Sequence, residues 1–301
     1  MATLKLHQPI NMNTLQAWDG EFPIADAGHI RATDGVRTQD YFGSFQYSNG
    51  ELSGGTLTAT SAYQNGLYYE VTDLNIDAAI MAEYVYNFDM TGAMREVLKG
   101  NDTIIGSAGN DLLIGGTGND HYDGGAGIDT VAYTTGRSSA SVTATDSGYT
   151  LQTPGKTDTL VNIERVNFGD GSTLALDVGQ WQNTGAAFRL YQAAFDREPD
   201  QGGLKYWIND LDKGATLQQV AQGFIDSAEF KKLTPGTDNK SLINSFYQHV
   251  LHREADEGGF KYWEDSMAAG MTASEVLVSF SESAENLANT NADLNGGLWL
   301  V

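Results

Sequence analysis

The 301-residue sequence predicts a multidomain α+β protein. It has a mostly-β N-terminal domain ending in helix, a central tract of nine-residue repeats, and an all-α C-terminal domain made of two copies of one unit. Three observations predict this. Residues 1–75 alternate aromatic or β-branched residues with polar ones between glycine turns. Aspartate falls on every ninth position at Asp102, Asp111, Asp120 and Asp129. The last third repeats itself at an offset of 56: LYQAAFDREPDQGGLKYW at 190–207 aligns with FYQHVLHREADEGGFKYW at 246–263, and FIDSAE at 224–229 with FSESAE at 280–285.

In the first segment, 1–99, strands are expected around Tyr41–Tyr47, Thr56–Ser61 and Leu67–Val71, with turns at Ser48-Asn49-Gly50 and Asn65-Gly66. From Ile76 to Leu98 the apolar spacing becomes helical, through Ile80, Met81, Tyr84, Phe88 and Met94. One or two helices are expected, with Asn75 or Asp77 near the cap and Gly92 as the break. Strands return over 136–180, turning at Asp146-Ser147-Gly148, Pro154-Gly155 and Gly169-Asp170-Gly171. From 181 to 290 helical spacing takes over. Six helices are expected, at 183–196, 201–213, 216–229, 239–252, 257–269 and 272–285, forming two stacked three-helix units. Asp200 and Asp256 precede Gly-Gly and should cap helices. Trp207 and Trp263 fall on apolar faces and should be core. Arg197 and Arg253 are expected to be buried, paired with Glu229 and Glu285.

The chain carries 17 basic and 39 acidic residues, a net charge of −22. Such a charge argues against nucleic acid or an anionic membrane as partner and favours metal cations, basic surfaces or plain solubility. There is no cysteine. No apolar leader follows Met1, and no apolar run reaches the roughly 18 residues a membrane span needs. By themselves these features point to the cytosol.

The tract from Gly100 to Tyr133 divides into frames of the form G-G-x-G-x-D-x-U-x, where U is a large apolar residue. Gly106–Ile114, Gly115–Asp123 and Gly124–Ala132 are full copies, and Val97–Ile105 is a weaker one. Ile104, Leu113, Tyr122 and Val131 each follow an aspartate by two positions. A glycine-rich linker has no reason to keep that register. The tract resembles the calcium-binding nonapeptide repeat of hemolysin-type RTX proteins, a known pattern. The resemblance implies a short parallel β-roll over 97–135, with 136–180 capping it. A hard cation takes six to eight oxygens from carboxylates and carbonyls. One turn takes two nonapeptides, so acids 18 residues apart share an ion, and two Ca2+ are expected. Asp102 and Asp120 would hold one, with the carbonyls of Val97, Lys99, Gly116 and Gly118. Asp111 and Asp129 would hold the other, with the carbonyls of Gly106, Ala108, Gly125 and Gly127. The next frame, YTTGRSSAS, has no aspartate, so the series is expected to end there.

The same resemblance reverses the cytosolic expectation. RTX proteins generally leave Gram-negative cells by type I secretion, using an uncleaved C-terminal signal, and the tail NADLNGGLWLV at 291–301 resembles one. The helical pair resembles the DUF4214 domain, which brings no assigned chemistry. A rival reading makes Asp196, Asp200 and Asp226 a further calcium site, although Asp196 and Asp226 become His252 and Glu282 in the second copy.

No H-E-x-x-H, G-x-S-x-G, Walker A loop or G-x-G-x-x-G after a strand occurs. The histidines are His7, His29, His121, His249 and His252, of which only the last two share a helical spacing. The expectation is a secreted, calcium-folded, non-enzymatic surface, matrix or adhesion protein that binds polysaccharide. The alternative is a secreted polysaccharide-active enzyme with its site in 1–99. Tyr41, Tyr63, Tyr68 and Tyr69 are candidate sugar contacts in either case. Partners are therefore calcium, polysaccharide and the type I secretion apparatus, with no nucleic acid.

Overall fold

Asn49 and Gly50 both take positive φ (56° and 87°), as do Asn65 and Gly66 (58° and 116°). Two-residue turns of this kind match the twist of the strands they join. They hold Arg37–Ser48, Glu51–Gln64 and Leu67–Thr72 in an antiparallel meander, and His29–Thr33 and Glu21–Ala25 extend it. The strands run longer than the sequence pattern indicated. Register shifts at Phe42/Gly43 and Gln46/Tyr47 interrupt the alternation without ending the pairing. The computed structural model describes residues 1–234, 236 and 238–300. The chain divides into two units, 1–173 and 174–301.

In the first unit the meander runs directly into the repeat tract. Thr3–Leu6 pairs antiparallel with Leu67–Thr72 on one side and parallel with Thr103–Ile105 on the other. The parallel ladder continues through His121–Asp123 to Lys156–Val161, all within one twelve-stranded sheet. A second parallel ladder joins Leu112–Leu113, Thr130–Ala132 and Arg165–Asn167. Segments 1–99 and 97–135, and 136–180 as far as Thr173, thus lie within one unit. Ser141–Thr145 and Gly148–Thr153 form a hairpin leading into Lys156–Val161.

Helices Ala78–Tyr86 and Met90–Val97 follow the meander, and Asp77 caps the first by accepting from the Ala79 N–H. The break is not at Gly92. It falls at Asn87–Asp89, where Phe88 turns to φ 54° and Asp89 starts the second helix by accepting from the Gly92 N–H. Gly92 sits inside that helix, where a Cβ would strike the Tyr84 ring at 2.5 Å.

The second unit is helical, but among the described residues each repeat has four helices and not three. Asn183–Phe195, Gln201–Asp212, Leu217–Asp226 and Ala228–Leu233 are followed by Asn239–Leu251, Glu257–Ala268, Ala273–Ser281 and Ala284–Leu294. The serine of each S-A-E motif makes the extra break. Ser227 and Ser283 adopt extended ψ, and their hydroxyls cap the next helix at Phe230 and Asn286. Asp200 and Asp256 cap as expected, accepting from Gly203 and Gly259 at 2.8 and 2.9 Å. Phe224 and Phe246 are buried at 1% and 0% exposure, each contributing about 2 kcal/mol of apolar burial. Trp207 and Trp263 pack on this core over Phe224 and Phe280 yet stay half-buried. Arg197 and Arg253 pair with Glu229 and Glu285 at 2.8 and 3.0 Å, but at the surface and not in the core.

Among the described residues of the helical unit, the arginine that is buried is instead Arg189, at 1% exposure. Its Nε and Nη2 donate to Glu282 Oε1 and Oε2 at 2.7 and 2.9 Å, and it also donates to the Val178 and Gly179 carbonyls. The strand Leu298–Leu300 pairs with Thr173–Ala175, and Leu300 joins the helical core. Of the expected tail, Val301 lies outside the described residues.

Candidate metal centre

The repeat tract folds by stacking each turn on the one 18 residues earlier. Thr103, Ile104 and Ile105 register with His121, Tyr122 and Asp123, and Leu112 and Leu113 with Thr130 and Val131. The glycines permit the close approach. Gly118 has φ 105°, and a Cβ there would collide with the Gly100 carbonyl; one at Gly127 (φ 134°) would lie 2.8 Å from the Gly109 carbonyl carbon. Ile104, Leu113, Tyr122 and Val131 are at most 1% exposed and form the apolar interior.

The stacking explains the recurring Asn-Asp pair. Asn101 and Asn110 Oδ1 accept the N–H of Asn119 and Ile128, 18 residues on, at 2.9 and 3.0 Å. Aspartates work in the other direction. The N–H of Asp102 donates to Asp120 Oδ1 at 3.0 Å, and that of Asp111 to Asp129 Oδ1 at 2.7 Å. The two expected pairs are therefore brought together, all four residues being at most 3% exposed.

Turns 97–102 and 106–111 lie against 115–120 and 124–129, as a Cβ on Gly116 or Gly125 would collide with the Leu98 or Ser107 carbonyl. Val97 ends the second helix of the first unit, whose last carbonyls have no partner within the helix. Lys99 bridges to Thr117.

Asp102 Oδ2 and Asp129 Oδ2 are buried with no hydrogen-bond partner. Asp111 Oδ2, in contrast, accepts from the Ser107 N–H and hydroxyl at 2.6 and 2.8 Å, and Asp120 Oδ2 contacts Lys156 Nζ at 3.3 Å. Burial pushes the Asp120 carboxyl up to about 7, with the Asp102 N–H and Lys156 pulling the other way. Burial likewise pushes Asp129 to about 7 against the Asp111 N–H, with repulsion from Glu164, Asp111 and Asp123 adding to it. Uncompensated buried charge costs several kcal/mol per group. Buried carboxylate oxygens left without a partner, as on Asp102 and Asp129, suit a hard, oxygen-seeking cation such as Ca2+.

The acid series does not stop at Asp129. Asp120 N–H donates to Asp158 Oδ1 at 2.8 Å, and Asp129 N–H to Glu164 Oε2 at 2.7 Å. At the other end Ala2 N–H donates to Asp102 Oδ1, and Ile10 N–H to Asp111 Oδ1 at 2.6 Å. The spacing hid these residues, because the hairpin interrupts the period of nine. One signal survives: Asp158-Thr-Leu160 and Glu164-Arg-Val166 keep an acid two residues before a fully buried apolar side chain.

Asp196, Asp200 and Asp226 serve separate roles. Asp200 caps a helix and accepts from the Tyr191 hydroxyl, Asp226 accepts from Gln222, and Asp196 ends a helix 3.6 Å from His252. Among the described residues no group of three or more His, Asp or Glu side chains converges as a metal cluster. Of the four tyrosines, Tyr63 is 40% exposed, Tyr69 donates to Gln39 Oε1 at 3.0 Å, and Tyr41 lines an apolar hollow.

This geometry defines a repeat protein whose stacked turns each present a buried carboxylate. Residues 99–131 match the RTX calcium-binding nonapeptide repeat (4 copies), and residues 186–234 and 221–290 match a domain of unknown function, DUF4214. The RTX repeat implies Ca2+ binding. No curated protein and no solved structure matches the chain. Among the described residues no helix is long and apolar enough to cross a membrane.

Proposed function

We propose that this is a secreted calcium-binding protein whose central tract is a β-roll built around two Ca2+ ions, acting outside the cell as a non-enzymatic surface or matrix protein. The observation that carries the reading is the pair of buried, unpartnered oxygens, Asp102 Oδ2 and Asp129 Oδ2. One falls in each expected site. The first ion would be held by Asp102, Asp120 and the carbonyls of Val97, Lys99, Gly116 and Gly118. The second would be held by Asp111, Asp129 and the carbonyls of Gly106, Ala108, Gly125 and Gly127. Bound calcium supplies positive charge to the buried carboxylates. The chain's own part is to stack the turns, aim carbonyls inward and exclude water through Ile104, Leu113, Tyr122 and Val131.

Export follows from the same chemistry. Where free calcium is scarce, the clustered carboxylates oppose closure of the roll, which suits passage through a narrow channel. In millimolar calcium, binding adds folding free energy, about 4.1 kcal/mol at a thousandfold excess over Kd. Calorimetric titration of the chelated protein tests the reading. Two ions per chain, with a gain in strand content, are expected; no binding at millimolar calcium overturns it.

A second reading, a polysaccharide site in 1–99, is favoured by one feature. A hollow of about 360 Å³ is lined by Trp18, Tyr41, Tyr69, Tyr84, Tyr86 and Phe88. A glycan array and a reducing-end assay separate a binding surface from an enzyme.

A further inference from the structure

The rung beyond Asp120 is built differently from the two expected ion sites. Asp158 stands where the series requires its next acid: it accepts the Asp120 N–H at 2.8 Å, and Leu160 registers with Tyr122. The turn before it is not a glycine loop. Thr153 pairs directly with Lys156 across Pro154-Gly155, with Gly155 at φ 88°. The six-residue turn is here a two-residue hairpin, so the oxygens open to a cation in this rung are those of the Asp120 and Asp158 carboxylates and of water. Into this rung projects Lys156. Its Nζ lies 2.9 Å from Asp158 Oδ2, 3.3 Å from Asp120 Oδ2 and 3.2 Å from the Gly116 carbonyl, and 5.1 Å from the centre of the Tyr133 ring. The Tyr133 hydroxyl donates to Asp158 Oδ2 at 2.6 Å. Both carboxylates have side chains at 0% exposure, and the lysine side chain is at 14%.

We propose that Lys156 is a tethered cation standing in for a third calcium ion, so that its ammonium closes the Asp102–Asp120–Asp158 series at one bound ion. This rests on the calcium reading above. The contrast in hydrogen bonding supports it. Asp102 Oδ2 is buried and unpartnered, whereas both oxygens of Asp158 are engaged, by Asp120 N–H, Tyr133 and Lys156. Charge closes as well. Three carboxylates bring −3, one Ca2+ brings +2 and the ammonium +1. A lysine suits the task, being a compact point charge with three donors on a flexible stem. Covalent attachment also keeps this cation in place whatever the calcium level, leaving the roll a fixed end from which the metal-dependent turns can close.

Stoichiometry tests the proposal. Wild type and Lys156→Ala are saturated with calcium, freed of excess and assayed for bound metal by mass spectrometry. Two ions in wild type and three in Lys156→Ala are expected, returning to two in Lys156→Ala with Asp158→Asn. Wild type without bound calcium would refute the calcium reading itself, and with it this proposal. Wild type with two ions and Lys156→Ala also with two would overturn this proposal alone. Acetylation of calcium-saturated wild type gives an answer that does not depend on the variant folding. Lys156 should be protected at least tenfold relative to Lys99, whose side chain is 69% exposed. Equal labelling of the two would show that the ammonium does not occupy the rung.

Discussion

The N–H of Ile10 donates to Asp111 Oδ1 at 2.6 Å, across 101 residues of chain. With the equivalent bond from Ala2 to Asp102, it makes the N-terminal segment the first rung of both parallel ladders. Removing calcium should therefore loosen more than the repeats. With chelator, hydrogen exchange should rise across residues 2–12 together with 97–132, and stay low across 183–285, which has its own core. Unchanged protection of 2–12 while 97–132 opens would show that the two do not order together.

Each expected ion has its own open oxygen, so losses should be separable. Asp129→Asn is expected to remove the ion shared with Asp111 and leave the other, lowering bound calcium from two to one. Asp102→Asn should do the converse. A calcium titration of each variant checks this, and loss of both ions from either single substitution would argue for one cooperative site.

The glycines of the stacked turns should be as sensitive as the acids. Gly118→Ala places a side chain at φ 105° against the Gly100 carbonyl. It should cost more than 1 kcal/mol in the calcium-loaded protein. Gly155→Ala, at φ 88° but with open space around it, should cost less. Urea unfolding in saturating calcium ranks the two.

Much of this was legible in the sequence. The nine-residue spacing located the stacked turns, and the 56-residue offset located the helical copies. Asp77, Asp200 and Asp256 cap helices because a carboxylate before a free N–H acts locally. What escaped depended on distant chain. Asp158 and Glu164 lie beyond an inserted hairpin that breaks the period. The partners of Asp102 and Asp111 are backbone N–H groups of Ala2 and Ile10, which carry no side-chain signature. Arg189 carries no signal in the sequence because its carboxylate partner, Glu282, is 93 residues away, whereas Arg197 and Arg253 recur visibly in both copies yet sit at the surface.

That difference predicts unequal costs. Arg189→Met leaves Glu282 buried at 3% exposure without its counter-charge and should destabilise the helical unit by about 3 kcal/mol. Combining it with Glu282→Met should recover much of the loss. Arg253→Ala, at a half-exposed pair, should cost under about 1 kcal/mol. Thermal unfolding of the three variants, followed by helical circular dichroism, checks the order.

Asp40 offers a pH-dependent test in the N-terminal sheet. It is 2% exposed, and Arg31 grips it through Nε and Nη2 at 2.7 and 2.8 Å while His29 Nε2 lies 2.7 Å away. Burial alone would raise its carboxyl, but the bonds from Arg31 and His29 outweigh burial and hold it below the ordinary 3.8. A carboxyl lowered in the folded state contributes its stabilisation fully above 3.8 and loses it as pH falls through the lowered value. Asp40→Asn should then cost about 2 kcal/mol at pH 7, as a hydrogen bond to a charged group does. The gap between the variant and wild type should narrow as pH falls below 3.8, where the carboxyl of the unfolded chain takes up its proton before the folded one does. Urea melts at pH 7 and pH 3 measure that gap, and an equal gap at both would show that the Asp40 charge is not what Arg31 and His29 stabilise.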